Sequence, residues 1–169
     1  MAELWDIYDA SGAKTGDLIS RDEPLKEGQY HLVVHIWIKN AEGKWLIQKR
    51  AAHVEWAPGF WAATGGSAIS GEDSLTAAIR ETKEELGLDI DASQMKFISR
   101  IIRNTAFTDI WLAESNVQPN DLVLEHAVSD VRYVTVKELN EMIKAGEFIN
   151  YLAHEMYTEE IMKQLFNTY

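Results

Sequence analysis

The feature that most constrains this chain is an acidic cluster on one predicted helix, inside the segment from Gly66 to Leu88. The apolar periodicity predicts an amphipathic helix from Asp73 to Leu86. At about 100° per residue, Glu81, Glu84 and Glu85 share one stripe of that helix. The apolar residues form the neighbouring stripe, so we expect the three carboxylates at the edge of the core.

Clustering these carboxylates has an energetic cost. Like charges three or four residues apart destabilise a helix by a few tenths of a kcal/mol per pair, and a bound cation would remove that repulsion. Carboxylate oxygens are the ligands that magnesium prefers. A solvated acidic face is nevertheless the commoner explanation of Glu-Glu pairs. The spacing alone therefore leaves both a metal site and a solvated face open.

Composition narrows the class of protein. The 169 residues suit a single domain spanning 1–169, and the chain contains no cysteine, which excludes disulfides and thiolate catalysis. The net charge of −11 disfavours a nucleic acid polymer, whereas small phosphorylated ligands become possible if a divalent cation mediates. The N-terminus resembles no signal peptide, and no apolar run approaches the roughly 20 residues that span a bilayer. We expect a cytoplasmic protein without membrane contact.

Strand and helix patterns predict an α+β fold with a central sheet between helices. Gly87 is expected to end the first helix, and Thr135 with Glu138 forms a capping-box pattern that opens a second. A further helical stretch is predicted from about Phe148 to Phe166. Residues 1–29 form a predicted N-terminal β-ribbon extension, and residues 136–169 the C-terminal helices. The predicted strands are Leu4 to Tyr8, Thr15 to Ile19, Tyr30 to Ile38, Lys44 to Lys49, Trp61 to Thr64, Lys96 to Arg103, Ala106 to Ala113 and Val131 to Val134.

The surrounding residues make the acidic cluster specific. Gly66, five residues, Glu72, seven residues and then Arg80-Glu81-Thr82-Lys83-Glu84-Glu85-Leu86-Gly87-Leu88 resembles the Nudix box of MutT-like hydrolases at all but one fixed position. That position is Thr82, where the family has an aliphatic residue. Thr82 falls on the apolar stripe, where its methyl group can pack. The resemblance implies a Nudix-type α/β/α sandwich with a mixed central sheet and a box at 66–88.

The resemblance also implies a metal centre. Glu81, Glu84 and Glu85 would ligate Mg²⁺, with Mn²⁺ as an alternative, and Gly66 would offer its backbone carbonyl. These three glutamates are the predicted catalytic residues. Glu84 is the first candidate for the general base.

Other box and loop residues receive supporting roles. Glu72 and Arg80 look like the family's structural ion pair, against the alternative of an ordinary surface pair worth about 0–1 kcal/mol. Gly65 with Gly66 is predicted to permit a tight turn and a close approach of backbone to ligand. Glu125 and Asp109 are alternative bases from later segments.

Outside the box, the end of a predicted strand carries two cations. Lys49 and Arg50 occupy positions similar to those that bring a basic side chain to the substrate phosphate in the family, and an exposed strand end explains them nearly as well. Trp61 and Trp56 are candidates to stack on a base, although tryptophan is more often simply packed.

The scaffold is also similar to that of isopentenyl-diphosphate isomerases. His31 before a long apolar strand and the segment Trp56 to Trp61 carry this likeness. The isomerases place a catalytic cysteine followed by Gly-His before the box, where this chain has Gly65 to Ser67. His31 and His35 share one strand face, where satisfied core histidines are the commoner outcome.

The sequence therefore predicts Mg²⁺-dependent hydrolysis of a pyrophosphate bond in a nucleoside-diphosphate-linked or related small-molecule diphosphate. Lys49, Arg50 and Trp61 are the predicted substrate-binding residues. An isomerase-like activity and a non-catalytic nucleotide-binding module are the alternatives. A homodimer through the ribbon or the C-terminal helices is compatible with the pattern.

Overall fold

The fold is built on a sheet in which several strands pair with one long central strand. The structure, a computed structural model, describes residues 2–167. Its elements are β1 (Leu4–Tyr8), β2 (Lys14–Ser20), β3 (His31–Lys39), β4 (Trp45–Arg50), β5 (Trp61–Ala62), β6 (Thr64–Ser67), α1 (Ser74–Leu86), β7 (Met95–Arg103), β8 (Ala106–Glu114), β9 (Val128–Val134), α2 (Val136–Lys144) and α3 (Glu159–Phe166).

The main sheet is mixed, as predicted. β3 pairs in parallel with β8 and antiparallel with both β4 and β6. Its pairing with β4 is confined to Ile38 with Leu46 and Lys39 with Trp45. Beyond that point β5 pairs with β4 and β6 pairs with β3. The sheet therefore divides at this end, and β6 lies beside the first half of β3.

Two buried clusters, one on each face of the sheet, complete an α/β/α sandwich. On the first face, which we name the α1 face, Val34 and Ile36 of β3 pack with Ala78 of α1. On the second, the α3 face, Trp37 of β3 packs with Ile161 of α3. Alternate residues of β3 thus point to opposite helices, because successive side chains of a strand point to opposite faces. The α+β class predicted from the sequence is confirmed.

The N-terminal ribbon forms a separate two-stranded sheet. β1 pairs antiparallel with β2, and an isolated bridge between Tyr8 and Tyr30 joins the ribbon to the start of β3. The Asp9 carboxylate accepts hydrogen bonds from the backbone N–H groups of Ser11 and Ala13, which fixes the turn between the strands. This is the Asx-type turn chemistry that polar hairpin tips favour.

Local signals set the helix ends. The Asp73 carboxylate accepts from the Thr76 N–H at 2.8 Å and caps the N-terminus of α1. Gly87 ends α1 in the left-handed conformation, with φ of 65°. Thr135 and Glu138 form the predicted capping box at α2. Residues with short polar side chains bond the free N–H groups of a first turn, which is why these positions were readable in the sequence.

The predicted helix from Phe148 to Phe166 is wrong over its first half. α3 begins at Glu159; before it, Phe148 forms an isolated bridge with Trp61, and turns follow from 151 to 155, where Glu155 has a φ of 55°. The Tyr157 N–H bonds to the Tyr151 carbonyl at 3.0 Å, so the segment folds back on itself. Its aromatic residues are buried by the turns without a helix.

Three outermost residues of the predicted extensions, Met1, Thr168 and Tyr169, lie outside the described residues. Among residues 2–167, no helix is long and apolar enough to cross a membrane.

Candidate functional site

The site begins where α1 crosses strand β6. Gly66 of β6 pairs with Val34 of β3, and the carboxylate of Glu81 lies directly against it. A Cβ atom at Gly66 would overlap the Glu81 carboxyl group. The predicted tight turn at Gly65 and Gly66 is wrong, because both residues lie in strand β6. Gly66 is required for close approach, and what approaches it is a glutamate of this chain.

The second carboxylate, Glu85, is held by the sheet. The Gln48 side-chain amide of β4 donates to Glu85 Oε2 at 2.8 Å, and the Gly65 N–H donates to the same oxygen at 3.4 Å. Thr64 in turn donates its hydroxyl to Gln48 Oε1 at 2.9 Å. Gln48 is 2% exposed. It is a site residue that the sequence analysis missed, and its signal was a polar side chain within a buried strand.

Burial dominates the electrostatics of this pair. It raises the pKa of Glu81 to about 7, although Arg80 acts in the opposite direction. Burial also raises the pKa of Glu85 to about 7, and the charge of Glu81 adds to the shift. Both effects come from placing like charges in a poorly solvated space. A cation between the carboxylates would stabilise their ionised forms.

Arg80 joins these glutamates to the loop before α1. Its Nε and Nη2 donate to the two oxygens of Glu72 at 2.6 and 3.0 Å, a bidentate pair. Its Nη1 donates to Glu81 at 3.0 Å and to Glu84 at 2.9 Å. Nη2 also donates to the Ser67 carbonyl at 3.0 Å. Arg80 therefore divides its donors between the loop, strand β6 and two glutamates of the predicted metal centre.

Glu84 differs from its two neighbours because its side chain is 57% exposed. Across residues 2–167, no three histidine or acidic side chains stand together with the spacing of metal ligands, and Glu84 instead bonds to Arg80. Two glutamates, Glu81 and Glu85, are fixed at the helix–sheet junction, whereas the third lies on the surface and is bonded to Arg80. An all-carboxylate donor set fits a hard cation such as Mg²⁺ or Mn²⁺.

Arg50 lies at the rim of the carboxylate cluster. Its charge acts to lower the pKa of Glu85, against the larger effect of burial. Its Nε donates to the Trp56 carbonyl at 2.7 Å, and its guanidinium lies 5.0 Å from the Trp56 ring centroid. Trp56 is 51% exposed. The structure thus brings a cation and an exposed aromatic ring together beside the glutamates.

Lys49 and Trp61 do not join this cluster. Lys49 follows Gln48 along β4, so its side chain points to the opposite face. Its Nζ lies 6.0 Å from the Trp61 ring centroid, and the Arg132 guanidinium lies 4.6 Å from the same ring. Trp61 is 8% exposed and packs in the α3-face core. Of the predicted substrate residues, only Arg50 is near the carboxylates.

The two alternative bases have different surroundings. Asp109 is 1% exposed, and Arg100 donates to both of its oxygens at 2.6 and 2.8 Å. Glu125 lies beside the site, because its N–H donates to the Glu85 carbonyl at 3.0 Å. The Glu125 carboxylate contacts the His126 ring. Glu125 is therefore the more accessible of the two.

Of the two histidines of β3, His35 is buried and His31 is half-buried. Trp37 donates to the Tyr157 hydroxyl at 2.8 Å, and that hydroxyl lies 2.9 Å from His35 Nδ1, to which it donates when the neutral ring carries its proton on Nε2. Burial lowers the pKa of His35 to about 4. His31 stacks on Trp5 with centroids 4.1 Å apart, and its buried Nδ1 has no hydrogen-bond partner. The expectation of satisfied core histidines is therefore right for His35 and only partly right for His31.

The fold is an α/β/α sandwich in which helix α1 places its glutamates against the glycines of strand β6. This combination defines the Nudix class of domain. The NUDIX domain model matches residues 29–154, so the chain belongs to the Nudix family. A Nudix hydrolase of Listeria monocytogenes is 39% identical over 167 residues, which cover 98% of this chain and 94% of that protein. By this kinship the protein is an enzyme of a pyrophosphohydrolase family, whose members generally use a divalent metal and bind small molecules.

Two further comparisons extend this kinship. An isopentenyl-diphosphate Delta-isomerase of Escherichia coli is 32% identical over 89 residues, 52% of this chain and 49% of that protein. It confirms the isomerase-like character of the scaffold. The crystal structure of DR0079 from Deinococcus radiodurans superposes with a TM-score of 0.75 at 23% identity, covering 90% of this chain and 96% of that one. That likeness concerns the fold.

Proposed function

We propose that the protein hydrolyses the pyrophosphate bond of a nucleoside-diphosphate-linked or related small-molecule diphosphate, with Mg²⁺ as cofactor. One observation carries the proposal. Glu81 and Glu85 are held against β6 with their pKa raised to about 7 by burial, an arrangement that a bound divalent cation would stabilise. Gly66 supports the proposal because only a glycine leaves room for Glu81.

In this mechanism the metal would be held by Glu81, Glu84 and Glu85, with the Gly66 carbonyl. Bound there, Mg²⁺ would supply charge to neutralise the diphosphate and would lower the pKa of a water molecule. The oxygen of the attacking water forms a bond to one phosphorus, the bridging P–O bond breaks, and the leaving phosphate takes the electron pair. Glu84 accepts the proton of the water, since its side chain is 57% exposed and can pass the proton on to solvent.

Arg50 contributes the cation that orients the substrate. A guanidinium donates two parallel hydrogen bonds to a phosphate, and Arg50 lies beside Glu85 at the rim of the site. Trp56, fixed to Arg50 through its carbonyl, offers an exposed ring on which a base can stack. We therefore propose Arg50 and Trp56 for substrate binding in place of Lys49 and Trp61.

The similarity to an isopentenyl-diphosphate isomerase makes isomerisation a second candidate activity. Isomerisation of isopentenyl diphosphate needs an acid that protonates carbon, and the chain contains no cysteine to supply it. The residues that would correspond to that segment, Gly65 to Ser67, form strand β6. Hydrolysis is therefore the activity that this site supports better.

The test is a substrate screen with a matched pair of variants. Nucleoside triphosphates, nucleotide sugars, dinucleoside polyphosphates and isopentenyl diphosphate are incubated with Mg²⁺, and released phosphate or nucleotide is measured. Removing a general base lowers a rate by roughly 100-fold or more, so we expect that loss in Glu84→Gln. Glu141→Gln, on the exposed side of α2, is the control and should retain the wild-type rate.

Two results would contradict the proposal. One is that no diphosphate in the screen is cleaved with Mg²⁺ or Mn²⁺. The other is that Glu84→Gln hydrolyses its substrate as fast as Glu141→Gln. Conversion of isopentenyl diphosphate without release of phosphate would instead establish the isomerase activity.

A further inference from the structure

The N-terminal ribbon is bonded to the loop that opens the Nudix box. In β1, Asp6 Oδ2 accepts from the Gly71 N–H at 2.9 Å and Oδ1 accepts from the Ser70 hydroxyl at 3.3 Å. In β2, the Lys14 ammonium donates to Asp6 Oδ2 at 2.7 Å and to the Glu72 carbonyl at 2.9 Å. We name Asp6 and Lys14 the ribbon clamp.

The loop that the clamp holds is short and carries Glu72. Its backbone is tied to the ribbon a third time, where the Ser70 N–H donates to the Leu4 carbonyl at 2.7 Å. Inside the loop, the Ile69 N–H donates to the Glu72 carboxylate at 3.0 Å. The main chain of Glu72 is thus held by the ribbon, while its side chain is held by Arg80. A displacement of the loop would therefore change the hydrogen bonds between Glu72 and Arg80.

We propose that the ribbon clamp is a positioning device for the metal centre, with Asp6 as its main positioning residue. The inference rests on the proposed function, in that Glu81 and Glu84 hold a cation. The contacts run from Asp6 to the loop, from Glu72 to Arg80, and from Arg80 to Glu81 and Glu84. The ribbon is far from these glutamates in sequence and reaches them through this series of contacts, while the charge of Glu3 also acts directly on Glu81 and raises its pKa.

The direction of the effect follows from how Arg80 shares its donors. Two of its nitrogens bond Glu72, and one bonds Glu81 and Glu84. If the loop moves away, the donors that Glu72 releases turn to the remaining carboxylates, because a largely buried guanidinium, 20% exposed here, needs acceptors. Arg80 then competes more strongly with a metal ion for Glu81 and Glu84. Loss of the clamp should weaken metal binding.

The ribbon also offers a matched control. Asp9 is a second hydrogen-bonded carboxylate of the same ribbon, and its bonds go to Ser11 and Ala13 in the turn. Asp9→Ala therefore removes an equivalent group and loosens the ribbon without breaking a bond to the box loop. Asp6→Ala breaks the bonds to Ser70 and Gly71. Lys14→Met tests the other half of the clamp and leaves Asp6 in place.

The experiment measures metal binding directly, without substrate. The full chain is titrated with Mn²⁺ and followed by calorimetry and by the loss of the free-ion paramagnetic signal, with thermal unfolding recorded for each variant. Outer contacts of metal ligands change affinity by about 10- to 100-fold, and Asp6 lies further out. We therefore expect the Kd to rise about fivefold in Asp6→Ala, and in the same direction in Lys14→Met, while Asp9→Ala stays within about twofold of wild type.

The outcomes separate this inference from the proposed function. If the wild type binds no Mn²⁺, the proposed function fails and the clamp fails with it. If the wild type binds Mn²⁺ and Asp6→Ala binds it equally well, only the clamp is overturned. A weakening that Asp9→Ala shares would also overturn it, because general loosening of the ribbon would then be the cause. If Asp6→Ala does not fold, Lys14→Met decides, and an unchanged Kd in that variant rejects the proposal.

Discussion

The close approach of the Glu81 carboxylate to strand β6 is possible because Gly66 has no side chain. The carboxylate of Glu81 occupies the volume that a Cβ atom would fill in any other residue. Because Gly66 is extended and paired with Val34, its backbone conformation would tolerate any residue. The requirement for glycine is therefore one of space, and it links strand β6 to the orientation of a glutamate on α1.

We predict that Gly66→Ala lowers hydrolysis by at least about tenfold, because a displaced glutamate costs up to about 100-fold when a reacting group shifts by 1 Å. Overpacking should also cost about 1–3 kcal/mol of stability. The rate of hydrolysis with saturating Mg²⁺ and the urea unfolding midpoint are the measurements. Ser67→Ala, in the same strand, is the control, and equal activity of the two variants would refute the steric account.

The sequence predicted these residues unevenly, for a geometric reason. The three glutamates could be placed together because helical periodicity relates positions within one element. Gln48 was missed, and Lys49 was grouped with Arg50, because the face to which a strand residue points depends on pairing with other strands. β4 is paired with β5 and with β9, which comes from a distant part of the chain, and a register shift falls between Lys49 and Arg50.

At the scale of elements, α1 was the best predicted because its ends are set locally. Asp73 and Gly87 are both visible in the sequence and act on their own helix. The turns of 148–158 were not predictable in this way. Their aromatic residues, such as Tyr151, resemble a buried helix in composition, whereas the backbone is fixed by bonds to remote partners, including that from Ile149 to Trp61.

The C-terminus of α1 is locked to the segment that follows β8. The Val123 N–H donates to the Leu86 carbonyl at 3.1 Å and the Glu125 N–H to the Glu85 carbonyl at 3.0 Å. Helix-terminal carbonyls need partners, and here another segment supplies them. A Cβ atom at Gly87 would lie 2.9 Å from the Val123 carbonyl oxygen, so the contact depends on glycine.

We predict that Gly87→Ala destabilises the fold more than Gly146→Ala. Both glycines have positive φ, of 65° and 73°, but a Cβ at Gly146 meets nothing within 4 Å. Gly146→Ala should cost about 1–2 kcal/mol for the left-handed backbone alone. Gly87→Ala adds about 1–3 kcal/mol for the clash with Val123. Urea unfolding of the two variants gives the difference, and equal losses would show that the contact carries no energy.

For the whole molecule, several buried groups titrate between pH 4 and 7 in opposite senses. His35 has a folded pKa of about 4 against an ordinary value of 6.5, so the unfolded chain binds the proton first and stability falls as the pH drops below 6.5. His31 acts in the same sense. Glu81 and Glu85 act in the opposite sense. Because their pKa values are raised to about 7 in the folded protein, their contribution to the free energy of unfolding increases as the pH falls from 7.

We therefore predict the effect of His35 as a difference between variants. His35→Gln keeps an acceptor for the Tyr157 hydroxyl but does not titrate. Between pH 8 and pH 5 the wild type should lose about 2 kcal/mol relative to this variant, from a folded pKa of about 4. Free energies of unfolding at the two pH values test this. His154→Gln, a histidine substitution at an exposed position, is the control, and a constant gap for His35→Gln would contradict the prediction.

The ribbon clamp also affects how far the chain can be truncated without a loss of metal binding. The span matched by the family, residues 29–154, contains the whole box but neither Asp6 nor Lys14. A chain trimmed only at its N-terminus, to begin at residue 29, would retain the glutamates and α3 and lose the four hydrogen bonds between the ribbon and the loop leading to the glutamates. Such a fragment should need more metal than the intact protein to reach the same activity. An inherited change in the ribbon could likewise tune the metal requirement while leaving every residue of the box unaltered.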